Sequence, residues 1–181
     1  MKKTVPFFTK GIVCFFVLFF WASTIQAANP ATIDVTVTIQ NLSVSATGPI
    51  AFGTVVAGDT SVSADSSHVV NDGNVTETYS LDLTDPGGGW TGVQAAPGAE
   101  EYCLSAQFNS SQPTEGSFTY TDHALSTTST ACSGSKFAGD QTGLSVAASG
   151  ALYLWFKFEA PTSTTVTTEQ TIVVTITASA G

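Results

Sequence analysis

Leu152-Tyr153-Leu154-Trp155-Phe156-Lys157-Phe158 sets four large apolar side chains, Leu152, Leu154, Phe156 and Phe158, at every second position. Successive side chains of a strand point to opposite faces, so these four line a buried face while Tyr153, Trp155 and Lys157 occupy the other. A helix would scatter the same residues around its circumference. The stretch therefore predicts a strand with one face in a core.

The same period recurs on both sides of it. Downstream, a Thr-rich connection over residues 161–169 leads to Ile172, Val174, Ile176 and Ala178. Upstream, Tyr102, Leu104, Ala106 and Phe108 alternate with Cys103 and Ser105, and Tyr79, Leu81 and Leu83 alternate with Thr78, Ser80 and Asp82. Shorter strands are expected over residues 66–70, 50–55 and 42–44. The most regular alternation lies over residues 33–39, with Ile33, Val35, Val37 and Ile39 on one side and Asp34, Thr36 and Thr38 on the other. Asn71-Asp72-Gly73-Asn74, Asp85-Pro86-Gly87-Gly88-Gly89 and Gly58-Asp59 punctuate the strands with residues that tolerate turn geometry. Residues 110–116 read as a polar loop and 122–141 as the least regular stretch. No segment carries helical spacing over three turns. Seven to nine short strands at this spacing give a sandwich or a small barrel, and because their apolar faces must pack on one another the expectation is an all-β, antiparallel sandwich.

The first residues have a different character. Lys2, Lys3 and Lys10 precede the apolar run 11–22, which ends in small residues up to Ala27 and Ala28. A basic start, a dozen apolar residues and a small-residue end describe a secretory signal peptide over residues 1–27, cleaved after Ala27 or Ala28. The run falls short of the ~20 residues a membrane span needs. Cys14, inside that run, is not placed as a lipid-modified cysteine. Residues 28–181 are then one domain, in the periplasm, at the cell surface or outside the cell.

Beyond residue 28 the only basic residues are Lys136 and Lys157, set against all fourteen acidic residues, a net charge of −12. Nucleic-acid binding rests on Lys and Arg displacing phosphate counterions, and docking on anionic lipid needs the same charges. Both partners are excluded by composition.

Two resemblances appear. Residues 52–58 (FGTVVAG), followed by Val69-Val70-Asn71-Asp72-Gly73-Asn74, resemble the FG-x-V-x-x-G … V-x-N-x-G-N pattern of bacterial extracellular immunoglobulin-like modules of the abnormal-spindle/hydin-like and choice-of-anchor groups. That likeness implies an immunoglobulin-like sandwich used as a surface or scaffold unit. Residues 42–47 and 50–54, together with the terminal run 172–177, are similar to spore coat protein U-like pilins of archaic chaperone–usher systems.

Cys103 and Cys132 are the two cysteines of the exported chain, and an oxidising compartment makes a disulfide between them the expectation. It would close a loop of about 30 residues, worth about 3.5 kcal/mol by chain entropy, and staple the 109–131 excursion to the sheet edge. A Ser–His–Asp hydrolase would have to draw on His68 or His123 with Ser110, Ser111 or Ser126, and no G-x-S-x-G elbow is present. Cys and His lack zinc spacing. Asn71, Asp72 and Asn74, or Asp82 and Asp85, offer oxygens for calcium, but no D-x-D-x-D-G loop is complete and solvated turn acids account for them, so no metal site is read. Glu100 and Glu101 are adjacent on a strand and point apart, unlike a glycosidase pair. Asn41, Asn74 and Asn109 head N-x-S/T sequons.

The expectation is a non-enzymatic structural or adhesive surface module without cofactor, associating with itself or with other surface proteins. Residues 31–40 are the candidate donor strand, able to add to another sheet edge through Ile33, Val35, Val37 and Ile39. In an isolated subunit the expectation is that they fold back as the first strand of their own domain, because local closure costs less entropy than association. The alternative is a carbohydrate-binding sandwich with Tyr153, Trp155 and Trp90 as its stacking platform.

Overall fold

The computed structural model describes residues 32–181, and the signal-peptide segment lies outside the described residues. The chain divides between Val37 and Thr38, and the C-terminal unit, Thr38–Gly181, holds all the strands found among the described residues. No helix among the described residues is long and apolar enough to cross a membrane.

The fold is all-β and sandwich-like, with two sheets. One sheet contains β1 (Val44–Ala46), β3 (Ser67–Asn71), β8 (Ala151–Glu159), β6 (Glu101–Phe108) and β5 (Thr91–Gly92) in that order, and β2 (Thr60–Val62) also pairs with β8. The other sheet is β7 (Thr130–Ala131), β4 (Glu77–Thr84) and β9 (Val173–Ala180). Every ladder is antiparallel except the short β5–β6 pair. The count of nine strands meets the upper end of the expected range, although four of them span only two or three residues.

Alternation decides what is buried. Leu154, Phe156 and Phe158 of β8 enter the core with Tyr102, Leu104, Ala106 and Phe108 of β6, facing Tyr79, Leu81 and Leu83 of β4. At one end, Trp90 and Tyr102 stack around Phe158, with ring centroids 6.0 Å from it, and Phe52 closes the group at 5.6 Å. The core fades toward β9, where Val174, Ile176 and Ala178 are only half-buried.

Two expected strands are not formed. Residues 33–39 belong to no strand, and pairing starts only at Val44. Residues 50–55 pack Ile50, Phe52 and Val55 against the core yet have no ladder partner. The stretch read as irregular is instead well engaged. Residues 118–139 run along the edge of β6: the Leu125 amide donates to Leu104 O at 2.9 Å, and the Phe108 amide donates to Phe137 O at 2.9 Å. A single helical turn, α1 (Tyr120–His123), is capped by Thr119, and Leu125 and Phe137 join the core. This packing covers an edge that would otherwise expose unpaired backbone groups.

The expected disulfide is not present. Both thiols are free and buried. Cys132 packs in the inter-sheet core, where Gly143 is required because a Cβ there would meet Cys132 Sγ at 2.7 Å. The alternation of β6 turns Cys103 away from that core, onto the face carrying Ser105 and Gln107. The two sulfurs thus lie on different sides of the β6–β8 sheet. Burial raises both thiols, Cys103 to about 11 and Cys132 to about 12.

Candidate functional site

The root of the N-terminal segment is held by the turn after β3. Asn74 does this with its side chain and main chain together. Its Nδ2 donates to Ile39 O (2.7 Å), its Oδ1 accepts the Asn41 amide (2.8 Å), and its own amide donates to Asn41 O (3.1 Å). Two further bonds continue the seam: the Ser43 amide donates to Glu77 Oε1 (2.7 Å), and the Asp72 amide donates to Ser43 O (2.8 Å). Asn71, fully buried, braces the turn from below. Its Nδ2 donates to Val75 O and Val146 O, and its Oδ1 accepts the Gly73 amide. The Asn-Asp-Gly-Asn run is therefore more than a turn. It is a clamp on residues 39–43.

Above this root the apolar row is unburied. Ile33, Val35 and Val37 are 83–87% exposed, and Ile39 is 76% exposed. Four β-branched side chains at alternate positions in water are unusual, because each forgoes about 1.5–3 kcal/mol of burial.

The C-terminal unit has open strand edges. β9 pairs with β4 along one edge, from Glu77↔Ala180 to Thr84↔Val173, and has no strand partner on its other edge among the described residues. β1 is the terminal strand of its own sheet, and β1 and β9 pack close together. The half-buried Val174, Ile176 and Ala178, and the unpaired Ile50, Phe52 and Val55, thus belong to strands or segments with free main-chain groups.

The proposed aromatic platform is not assembled as one surface. Trp90 is directed into the core end, its indole N–H donating to Thr164 Oγ1 at 2.8 Å. Trp155 is half-buried and donates to Asn109 O at 2.9 Å. Tyr153 alone of the three is exposed, at 41%, with its ring 5.2 Å from His68. Lys157 does not reach solvent beside them. It is buried between the Phe118 and Tyr120 rings, with Nζ 2.5 Å from Glu159 Oε1. Tyr120 donates to Glu159 Oε2 at 2.6 Å, and that bond, with burial, pushes its hydroxyl up to about 12.

His123 packs into the same outer layer. Its Nδ1 accepts the Thr119 amide (2.9 Å) and its Nε2 donates to Ala138 O (3.1 Å), so the ring ties α1 to the chain at Ala138. Three of the acids read as calcium or glycosidase candidates, Asp85, Glu100 and Glu101, have structural partners. Asp85 accepts from Tyr102 Oη (2.7 Å) and the Gly92 amide (2.9 Å). Glu100 accepts from Thr164 and Thr165, while Glu101 accepts the Gly98 amide.

Sequence reasoning missed two groups. Glu77 shares the inward face of β4 with Tyr79, Leu81 and Leu83, and extending that alternation by one step would have placed a carboxylate in the interior. In the Tyr120–Glu159–Lys157 group, alternation puts Lys157 and Glu159 on one face of β8, but Tyr120 comes from α1, far away in sequence, and leaves no signal in spacing. No protein-family model matches the chain, and no curated protein or solved structure is found similar to it.

Proposed function

We propose that this chain is a non-enzymatic, secreted or cell-surface structural module that assembles by donating its N-terminal segment to the open sheet edge of another copy. The observation that carries the reading is the exposure of Ile33, Val35, Val37 and Ile39, an apolar row with strand periodicity and no strand partner among the described residues. β9 supports it from the other side, with free main-chain groups and a half-buried apolar row of matching period. Main-chain hydrogen bonds to β9 would give affinity, and alternate side chains entering the opening beside it would give register. Burying four such residues is worth about 6–12 kcal/mol, comparable to the cost of association, so assembly depends on concentration. One segment and one edge per copy make a heterologous contact, which propagates as a filament unless it closes into a ring.

The test compares the exported chain with a variant lacking residues 29–38, which keeps the Ile39–Ser43 clamp. Light scattering and electron microscopy should show concentration-dependent polymers of the first and monomers of the second, with the melting temperature of the monomer unchanged within about 2 °C. A full chain that stays monomeric at high concentration, or a deletion that polymerises equally, overturns the proposal.

Carbohydrate binding is the weaker reading, supported by the exposed Tyr153, beside the half-buried His68, alone. Retention on polysaccharide that is lost in Tyr153→Ala would favour it.

A further inference from the structure

Pairing within one copy costs less entropy than pairing between two, so residues 31–38 should prefer the free edge of their own sheet. Ile33, Val35 and Val37 are nevertheless 83–87% exposed, with no strand partner among the described residues. The root of the segment supplies a reason.

At the root the bonds fall on alternate residues. Ile39 O and the Asn41 amide bond the Asn74 side chain, and Asn41 O accepts the Asn74 amide. Two residues on, the Ser43 amide donates to Glu77 Oε1 and Ser43 O accepts the Asp72 amide. Bonds from every second residue to one neighbour are the pattern of an extended chain, so residues 39–43 run straight into β1. Gly73 lets the turn lie this close, since a Cβ there would meet Asn41 O at 2.5 Å.

The ladders give the direction. β9 ends beside this turn: Ala180 pairs with Glu77, and the Gly181 amide donates to Thr76 O at 2.9 Å. β1 begins there, with Val44 opposite Asn71 and Ala46 opposite Val69. From the turn, β1 and the body of β9 therefore extend in the same sense. For residues 31–38 to lie along β9 of their own copy, the chain must reverse before it enters β1. Residues 39–43, held extended, make no reversal. Residues 35–39 are all β-branched and suit strands rather than turns. Asn41 is the turn former of the stretch, and Asn74 holds it straight.

We propose that Asn74 is the positioning residue that makes pairing of residues 31–38 intermolecular: by keeping residues 39–41 extended, it denies the segment the β9 edge of its own copy. The inference rests on the assembly reading for the partner, whereas the block on self-pairing is a property of a single copy.

The experiment places a thiol in the segment of the exported chain by Val35→Cys, against a background in which Cys103 and Cys132 are buried. In dilute protein that thiol should label at the rate of a free thiol. Adding Asn74→Ala frees Ile39 and Asn41, so labelling in dilute protein should slow about tenfold as the segment closes on its own edge. Light scattering at high concentration should show loss of most of the polymer. Rapid labelling of Cys103 and Cys132 would mark an unfolded variant. Asn74→Asp, which keeps the acceptor for the Asn41 amide and loses the donor to Ile39 O, then takes its place and should show the same two changes at smaller size. A role in stability alone would lower the melting temperature and leave labelling fast. Equal labelling of the parent and the folded variant in dilute protein overturns the proposal, as does undiminished polymer. A parent that never polymerises overturns the assembly reading instead, and the labelling comparison still decides whether Asn74 blocks self-pairing.

Discussion

Residues 33–39 and β9 are nearly the same sentence written twice. Ile33-Asp34-Val35-Thr36-Val37-Thr38-Ile39 and Ile172-Val173-Val174-Thr175-Ile176-Thr177-Ala178 both alternate β-branched apolar residues with threonine or another outward residue. One is an eight-residue strand paired along its full length with β4, and the other has no strand partner and stands in water. Period and propensity therefore state what a segment is able to bury, and say nothing about where its partner is. The partner of β9 is fixed by neighbours: β4 offers a full ladder, and the 161–172 connection delivers the strand beside it. For residues 33–39 no ladder exists among the described residues, and only the assembly proposed above would give them one.

The contrast breaks first under core truncation. Leu81, on β4 and fully buried, should lose about 2–5 kcal/mol on change to alanine. Ile176, half-buried on β9, should lose about 1–2 kcal/mol by the same reasoning at half the burial. Val35→Ala should change the stability of the monomer by less than about 0.5 kcal/mol, as exposed sites do. Denaturant melts of dilute protein measure all three. A cost above 1 kcal/mol at Val35 would mean that the segment is folded into its own domain.

Thiol chemistry sharpens the same contrast kinetically. Val35→Cys should label at the rate of a free thiol in dilute protein and become protected as concentration rises. Cys103 and Cys132 should resist labelling at pH 8 in the native state, because burial holds their thiols near 11 and 12 and cuts the thiolate of Cys103 about 100-fold. After denaturation without reductant, both should react, adding two labels by mass. Recovery of a cross-linked Cys103–Cys132 peptide would contradict the placement of the two sulfurs on opposite sides of the sheet.

How much of this was legible follows from which forces are local. The face of β8 could be read because alternation is a local property, and Leu154, Phe156 and Phe158 are buried as expected. Residues 50–55 have the composition of a strand but lack a ladder, since pairing depends on which edge arrives beside them. The free state of Cys103 and Cys132 was illegible because their separation in sequence does not say which face of which sheet each occupies. The 118–139 stretch has no periodicity at all, yet it covers the β6 edge through backbone bonds that leave no trace in side-chain pattern. Glu77 was half-legible: alternation places it inward, while its charge argues for the surface.

The smallest effect concerns what keeps β9 in register while residues 33–39 have no equivalent. The connection leading to β9 is stapled by Glu100, whose carboxylate accepts from Thr164 Oγ1 (2.7 Å), the Thr165 amide (2.5 Å) and Thr165 Oγ1 (2.9 Å). Those bonds, that of Thr164 foremost, lower its pKa below the ordinary 4.5. A lowered carboxylate stabilises the fold above its unfolded value and loses that contribution as pH falls through the folded value. The staple should therefore hold at neutral pH and loosen only below pH 4.5. Trp90 reports it, because its indole donates to the same Thr164 hydroxyl. In a Trp155→Phe background, Trp90 emission should shift to the red on acidification below that point, and Glu100→Gln should be red-shifted at neutral pH and indifferent to acid. Emission that is flat with pH in the Glu100 protein, or that moves equally in Glu100→Gln, would show that the connection is held by the Trp90–Tyr102–Phe158 stack instead.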